Sequence, residues 1–249
     1  MRLDYIYGRI MKIVTEGAMD ERYYSTFACA QVRGQAIRKG VDLGLDPDLL
    51  EKPLELLNDD EKSAILDRAK ESGMKLYHFK RSDGTLPRVT RVLGFLKAIY
   101  FESLLDVGSG RGVFLLPFLE KFPYIPVTSI DIIDRRVEML SDITKGGIDR
   151  LIVKKASICD RPFPPRSFDV VTLLEVLEHI PDVESAIRSA VETARKYVIV
   201  TVPSKEDSNP EHIHLLTKDV LTRYFNACGV TKLSFESVPG HLFMIARID

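Results

Sequence analysis

Cysteine is scarce in this chain. Only Cys29, Cys159 and Cys228 occur in 249 residues, odd in number and far apart. That argues against a disulfide framework or a clustered zinc site and points to a reducing, cytoplasmic compartment. An excess of either charge is also lacking. Thirty-five Lys and Arg meet 36 Asp and Glu, for a net charge of −1. No global basic field announces nucleic acid. No apolar run approaches the roughly 20 residues of a membrane-spanning helix, so no membrane partner is expected. The first residues, Met-Arg-Leu-Asp-Tyr-Ile-Tyr-Gly-Arg, break up their apolar side chains with charge, unlike a secretory leader. Repeats and low-complexity tracts are missing too. What remains, 45% hydrophobic and 29% charged residues, suits a soluble globular chain of one domain, or one plus a smaller one.

The patterning divides near residue 85. Residues 1–85 read as a helical subdomain. A helix is expected from Asp20 to Lys39, ending at Gly40. Asp46 to Leu57 is interrupted by Pro53, and Asn58 to Ser72 opens on Asn-Asp-Asp-Glu and stops at Gly73. Ser82-Asp83-Gly84-Thr85 is a turn. Residues 86–249 alternate in the manner of a parallel sheet. Pro87 opens a helix to Ile99. Strands are expected at 102–107, 126–131, 150–155, 169–174, 197–202, 231–237 and 242–247, and helices at 112–122, 134–144, 184–194 and 217–228. The short link Val238-Pro239-Gly240-His241 makes the last two strands a hairpin, giving the sheet one antiparallel edge. The expected class is α/β: a doubly wound, mostly parallel seven-stranded sheet with a terminal antiparallel hairpin, behind a helical subdomain.

Residues 104–112 read Leu-Leu-Asp-Val-Gly-Ser-Gly-Arg-Gly, followed by the apolar run Val113 to Phe122. This is a strand, a tight glycine turn and a helix, the usual nucleotide-binding corner of a doubly wound domain. The spacing is G-x-G-x-G, whereas a dinucleotide fingerprint needs Gly where Val113 stands. The corner resembles motif I of the class I S-adenosylmethionine (SAM) methyltransferases. The resemblance places the methionine ammonium of SAM near Asp106, on the turn of Gly108, Ser109, Gly110 and Gly112. Asp131 closes the next strand, 23 residues after Gly108. A carboxylate there accepts two hydrogen bonds from ribose hydroxyls. Ile132 would sit beside the adenine. The stretch from Ala156 to Val171 resembles the family's segment leading through Pro-Phe and Ser-Phe-Asp into the fourth strand. Where many members carry an Asp for the adenine amino group, this chain has Ser157, whose hydroxyl can still accept; Asp160 would serve only with a shifted register. Ile158, Leu174 and Glu175 complete the implied cofactor set. The resemblance covers residues 102–248.

The fourth strand runs into Glu175-Val176-Leu177-Glu178-His179, and Glu211-His212-Ile213-His214 comes later, before a helix that Thr217 can cap. Carboxylates and imidazoles are ligands for a divalent metal. Ubiquinone-biosynthesis O-methyltransferases and small-RNA terminal ribose 2′-O-methyltransferases carry a similar Glu-x-x-Glu-His with a later His. That resemblance implicates Glu175, Glu178, His179 and His212 or His214 in holding Mg²⁺ or Mn²⁺. The competing reading is metal-free: Glu175 lines the cofactor pocket, Glu178 and His179 orient the loop, and the later histidines line an acceptor pocket. A hydroxyl acceptor would use a base, from among His179, His212 and His214; an amine or thiolate would need no strong base, and Glu175 joins these histidines in the candidate catalytic set.

Residues 70–97 hold Lys70, Lys75, Lys80, Arg81, Arg88, Arg91 and Lys97 against Glu71 and Asp83, with Tyr77, His78 and Phe79 interleaved. This is either a basic-aromatic surface for RNA or a solvated face with its aromatics in the core. The family resemblance gives the preceding helices the role of covering the crevice, with Tyr5, Tyr7, Tyr23, Tyr24 and Phe27 as acceptor-side aromatics or core. The expected activity is SAM-dependent methyl transfer, O-methylation first, to a small-molecule acceptor. The alternatives are a metal-assisted RNA terminal ribose 2′-O-methyltransferase and a non-catalytic SAM-binding sensor or partner.

Overall fold

The computed structural model describes residues 23–74, 76–206 and 208–249, with the side chain of Tyr77 left aside. Tyr5, Tyr7, Lys75 and the start of the first expected helix lie outside the described residues. The chain forms two compact units. One holds the described residues up to Arg81 together with Asp142–Ile148; the other holds Ser82–Ser141 and Asp149–Asp249.

The first unit contains helices α1 (Ser25–Lys39), α2 (Pro47–Glu51) and α3 (Asp59–Glu71). Helix α1 buries Phe27, Ala28, Cys29, Ala30 and Val32 and ends on Gly40 in the left-handed conformation. Its Gly34 packs directly on backbone: a Cβ there would lie 1.8 Å from the Asp142 carbonyl oxygen. Arg38 then grips the Asp142 carboxylate through two hydrogen bonds of 2.8 and 2.9 Å. Pro53 does break the second segment: α2 stops at Glu51, and Leu54–Leu56 forms a separate 3₁₀ turn. The buried Arg33 guanidinium donates to the carbonyls of Leu49 and Lys52 there.

The second unit carries α4 (Pro87–Lys97), β1 (Leu104–Val107), α5 (Leu115–Lys121), β2 (Val127–Asp131), α6 (Asp134–Lys145) and β3 (Leu151–Lys155). Then follow β4 (Phe168–Leu174), α7 (Val183–Thr193), β5 (Ala194–Pro203), α8 (Lys218–Ala227), β6 (Leu233–Val238) and β7 (His241–Arg247). The end of α6 runs on into the first unit. The seven strands are ordered β3-β2-β1-β4-β5-β7-β6. Strands β1 to β5 pair in parallel, while β7 is antiparallel to both β5 and β6. The expected antiparallel hairpin closes this edge of the sheet. The more apolar β7 is tucked inside and β6, with its partly exposed side chains, takes the edge. Strands β1 and β2 are buried on both faces, polar Asp106, Thr128, Ser129 and Asp131 included. Leu105, Val107, Val171, Leu173, Val198 and Val200 form the core with Ile187 and Ala190 of α7 and Leu221 and Phe225 of α8. The winding reverses between β1 and β4, and a crevice opens at the carboxyl ends of such neighbours.

Candidate functional site

Strand β1 delivers the chain to the glycine corner. Gly108 has φ +66°, and a Cβ there would fall 2.7 Å from Cγ2 of Val176. Both facts demand glycine. The turn runs through Phe114, and helix α5 starts only at Leu115, later than the expected residue 112. Gly110 and Gly112 have φ of +59° and +82°, which a right-handed helix cannot contain. Gly112 does not line the crevice. A Cβ on it would lie 2.9 Å from Cγ of Leu116, so it serves the packing of the turn on α5.

A cavity of about 570 Å³ opens at the switch point. It is lined by Asp106, Gly108, Ser109, Gly110, Asp131, Ile132, Ser157, Ile158, Leu174 and Glu175, the implied cofactor set without Gly112. Asp106 is buried, and its cross-strand neighbour Thr172 donates a 2.7 Å hydrogen bond to it. Burial pushes the Asp106 carboxyl up to about 6, while the Ser109 and Thr172 hydroxyls pull it down and the nearby Asp131 charge pushes it up. Asp131 is buried as well. One oxygen accepts from Gly110 N–H at 3.0 Å, the other from Ile133 N–H at 2.9 Å, and Arg136 lies 3.6 Å away. Each oxygen keeps a lone pair for a ligand hydroxyl. Ile132 is 64% exposed and gives the cavity an apolar wall. Ser157 Oγ accepts from Cys159 N–H and still has its own proton to donate; Asp160 is not among the lining residues.

Glu175 follows β4 with φ +59°, a left-handed conformation that costs a non-glycine residue about 1–3 kcal/mol. Its surroundings hold it there. Its N–H donates to the Thr201 carbonyl at 2.9 Å, and Thr201 Oγ1 returns a 2.8 Å bond to its carboxylate. The other carboxylate oxygen lies 2.9 Å from His241 Nε2 and 4.0 Å from Arg88 Nε. Arg88 and Thr201 also line the cavity. Sequence reasoning missed Thr201, His241 and Arg88. They sit on β5, β7 and α4, and no local pattern marks them; the pairing of Pro203 with His241 sets the histidine beside the end of β5.

Glu178, His179 and His212 form a second group, each offering a ligand atom within 4.8 Å of the others. Two segments are clasped to make it. Ile213 N–H donates to the Glu178 carbonyl at 2.9 Å, and His214 Nε2 donates to the Ile180 carbonyl at 3.1 Å. His179 Nδ1 donates to the Glu211 carbonyl at 2.9 Å, which leaves the lone pair on Nε2. Glu178 is buried, His179 exposed and His212 half-buried. Glu175 and His214 stand outside the group. His179 lines the cavity; Glu178, His212 and His214 do not.

Lys70 pairs with Asp67, Arg81 lies over the Tyr24 ring, and Arg91 makes a two-bond pair with Glu236. Phe79, Tyr24 and Phe27 are buried and Tyr23 is half-buried. Among the described residues no helix is long and apolar enough to cross a membrane.

Residues 55–234 match a family model described as a methyltransferase domain. The chain is 29% identical over 149 residues to 27-O-demethylrifamycin SV methyltransferase of Amycolatopsis mediterranei (strain S699), covering 56% of this chain and 54% of that protein. It is 30% identical over 110 residues to the ubiquinone biosynthesis O-methyltransferase of Idiomarina loihiensis, covering 41% and 44%. The match thus spans about half the length of these relatives. Among solved structures, a SAM-dependent methyltransferase from Aquifex aeolicus superposes with TM-score 0.54 at 20% identity, over 68% of this chain and 93% of that one. The methyltransferase domain of bacterial CtHen1 gives 0.56 at 19%, over 65% and 98%. Identities this low speak to the fold alone.

Proposed function

We propose that this chain, which belongs to the class I SAM-dependent methyltransferase family, carries the methyl group of SAM to a hydroxyl of a small-molecule acceptor. The observation that carries the hydroxyl reading is the Glu178, His179 and His212 group beside the crevice. One carboxylate and two imidazoles, one of them aimed by a backbone carbonyl, are a fitting donor set for a divalent metal such as Mg²⁺ or Mn²⁺. Held there, a metal would polarise an acceptor hydroxyl. The names of the relatives, a rifamycin and a ubiquinone-pathway O-methyltransferase, support the same acceptor class.

The cavity suits SAM. When bound, SAM supplies a methyl group already activated on a sulfonium centre. Asp106 offers a carboxylate to its ammonium, Asp131 takes the ribose hydroxyls, and Ile132 with Ser157 and Ile158 flanks the adenine. The glycine corner lets the ligand approach the backbone. The protein's contribution is alignment and exclusion of water.

The test is S-adenosylhomocysteine formation with a panel of phenols and catechols, RNA 3′ ends, amines and thiols, with EDTA or Mn²⁺. Turnover is expected with phenolic acceptors, and EDTA or Glu178→Ala should lower it about 10–100-fold. Turnover confined to amines or thiols would sink the hydroxyl reading. SAM bound without turnover on any acceptor would make the chain a binding protein.

A further inference from the structure

We propose that Glu175 orients the acceptor hydroxyl and takes its proton, with His241 as the positioning residue behind it. This rests on the hydroxyl-acceptor reading above.

Four observations converge. Glu175 lies at the carboxyl end of β4, at the crevice, and lines the cavity. Its left-handed backbone is anchored by its N–H on the Thr201 carbonyl. Its carboxylate receives Thr201 Oγ1 on one oxygen and His241 Nε2 on the other. Each oxygen keeps a lone pair, and the side chain is 23% exposed, so an edge remains for a ligand. Of the other acids that line the cavity, Asp106 and Asp131 are buried and tied to their strand neighbours and turn N–H groups, and Glu211 is exposed on the 209–216 segment.

His241 is itself fixed. Its Nδ1 donates to the Pro239 carbonyl at 3.0 Å, within the β6–β7 turn. Its Nδ1 faces the Pro239 carbonyl and its Nε2 the Glu175 carboxylate, so the ring is held from both sides. The groups that face Glu175 are His241 from β7, Arg88 from α4 and the Thr201 hydroxyl from β5. They hold the carboxylate in one direction. In the step, the acceptor O–H bond breaks and its proton passes to Glu175. The O–CH₃ bond forms as the S–CH₃ bond breaks, and the electron pair of that bond stays on sulfur.

The family resemblance reads Glu175 as a metal ligand. Here it has partners of its own, apart from Glu178, His179 and His212. The two roles therefore separate by experiment. Glu175→Gln, His241→Ala and His241→Gln are compared in the full chain for SAM affinity, Mn²⁺ affinity by calorimetry, and kcat and KM across pH. Glu175→Gln should lower kcat about 100-fold and leave SAM and Mn²⁺ affinities within about twofold. His241→Ala should lower kcat about tenfold, with little change in acceptor KM and a displaced pH–rate profile. His241→Gln, whose amide can donate to the carboxylate, should recover most of that loss. Thr201→Val carries the same test if Glu175→Gln does not fold, with a kcat loss of about fivefold. An unchanged kcat in these variants, with wild-type still methylating hydroxyls, overturns the proposal and leaves the hydroxyl reading standing. Loss of SAM binding in Glu175→Gln reassigns the residue to the cofactor, and loss of Mn²⁺ binding reassigns it to the metal. A wild-type chain that methylates no hydroxyl overturns the reading and this assignment together.

Discussion

At Asp106 a carboxyl group is buried where a cation is expected to bind, and pH should report on it. Burial raises it from 3.8 to about 6 in the folded chain. The folded state then binds the proton more tightly than the unfolded one. Its contribution to stability is fully present below about pH 4 and is lost as pH rises through about 6. In the absence of cofactor the loss is about 3 kcal/mol at most. Urea denaturation of wild-type and Asp106→Asn between pH 4 and 7 should show the wild-type losing ground to the variant as pH rises. An ammonium ligand reverses the preference, because it favours the carboxylate. SAM affinity should therefore weaken as pH falls through about 6, with proton release on binding near pH 5.5. Calorimetry in two buffers of different ionisation enthalpy measures that release; equal release by Asp106→Asn would sink the assignment. The places of Asp106 and Asp131 on the cavity were legible because one precedes the glycine corner and the other ends β2. The place of Glu175 at the end of β4 was legible too, but its partners were not. Thr201 and His241 are 26 and 66 residues away in sequence and meet it through sheet pairing alone.

Elements follow their local signals closely. Asn58 caps α3 in a reciprocal box: its side chain accepts from Glu61 N–H at 2.9 Å, and Glu61 accepts from Asn58 N–H at 2.8 Å. Asn58→Ala should cost about 1 kcal/mol, and Asn58→Asp should restore most of it. The midpoint of denaturant unfolding checks this, and equal midpoints for Ala and Asp would refute the cap. Caps are readable because they act within four residues. One element departed from expectation for a reason that is also physical. Helix α5 began late because three positive-φ glycines precede it. The expected terminal hairpin formed, with the more apolar β7 inside and β6 at the edge.

On the scale of the whole molecule, the cavity ties cofactor to stability. SAM at 100 times its Kd should stabilise the chain by about 2.7 kcal/mol, a rise of about 5–10 °C in Tm. Asp131→Ala should abolish the rise, and NAD should produce none; a rise with NAD would contradict the cofactor assignment. The order of strands and helices, the glycine corner and the acids at strand ends were set by the sequence itself, because periodicity, capping and backbone sterics act over a few residues. Which of the catalytic-looking residues meet was decided by the tertiary structure. Strand pairing drew His241 to Glu175, and the clasp between 175–180 and 209–216 drew His212 to Glu178 and His179. Such meetings depend on contacts between residues far apart in the chain, and no local pattern encodes them.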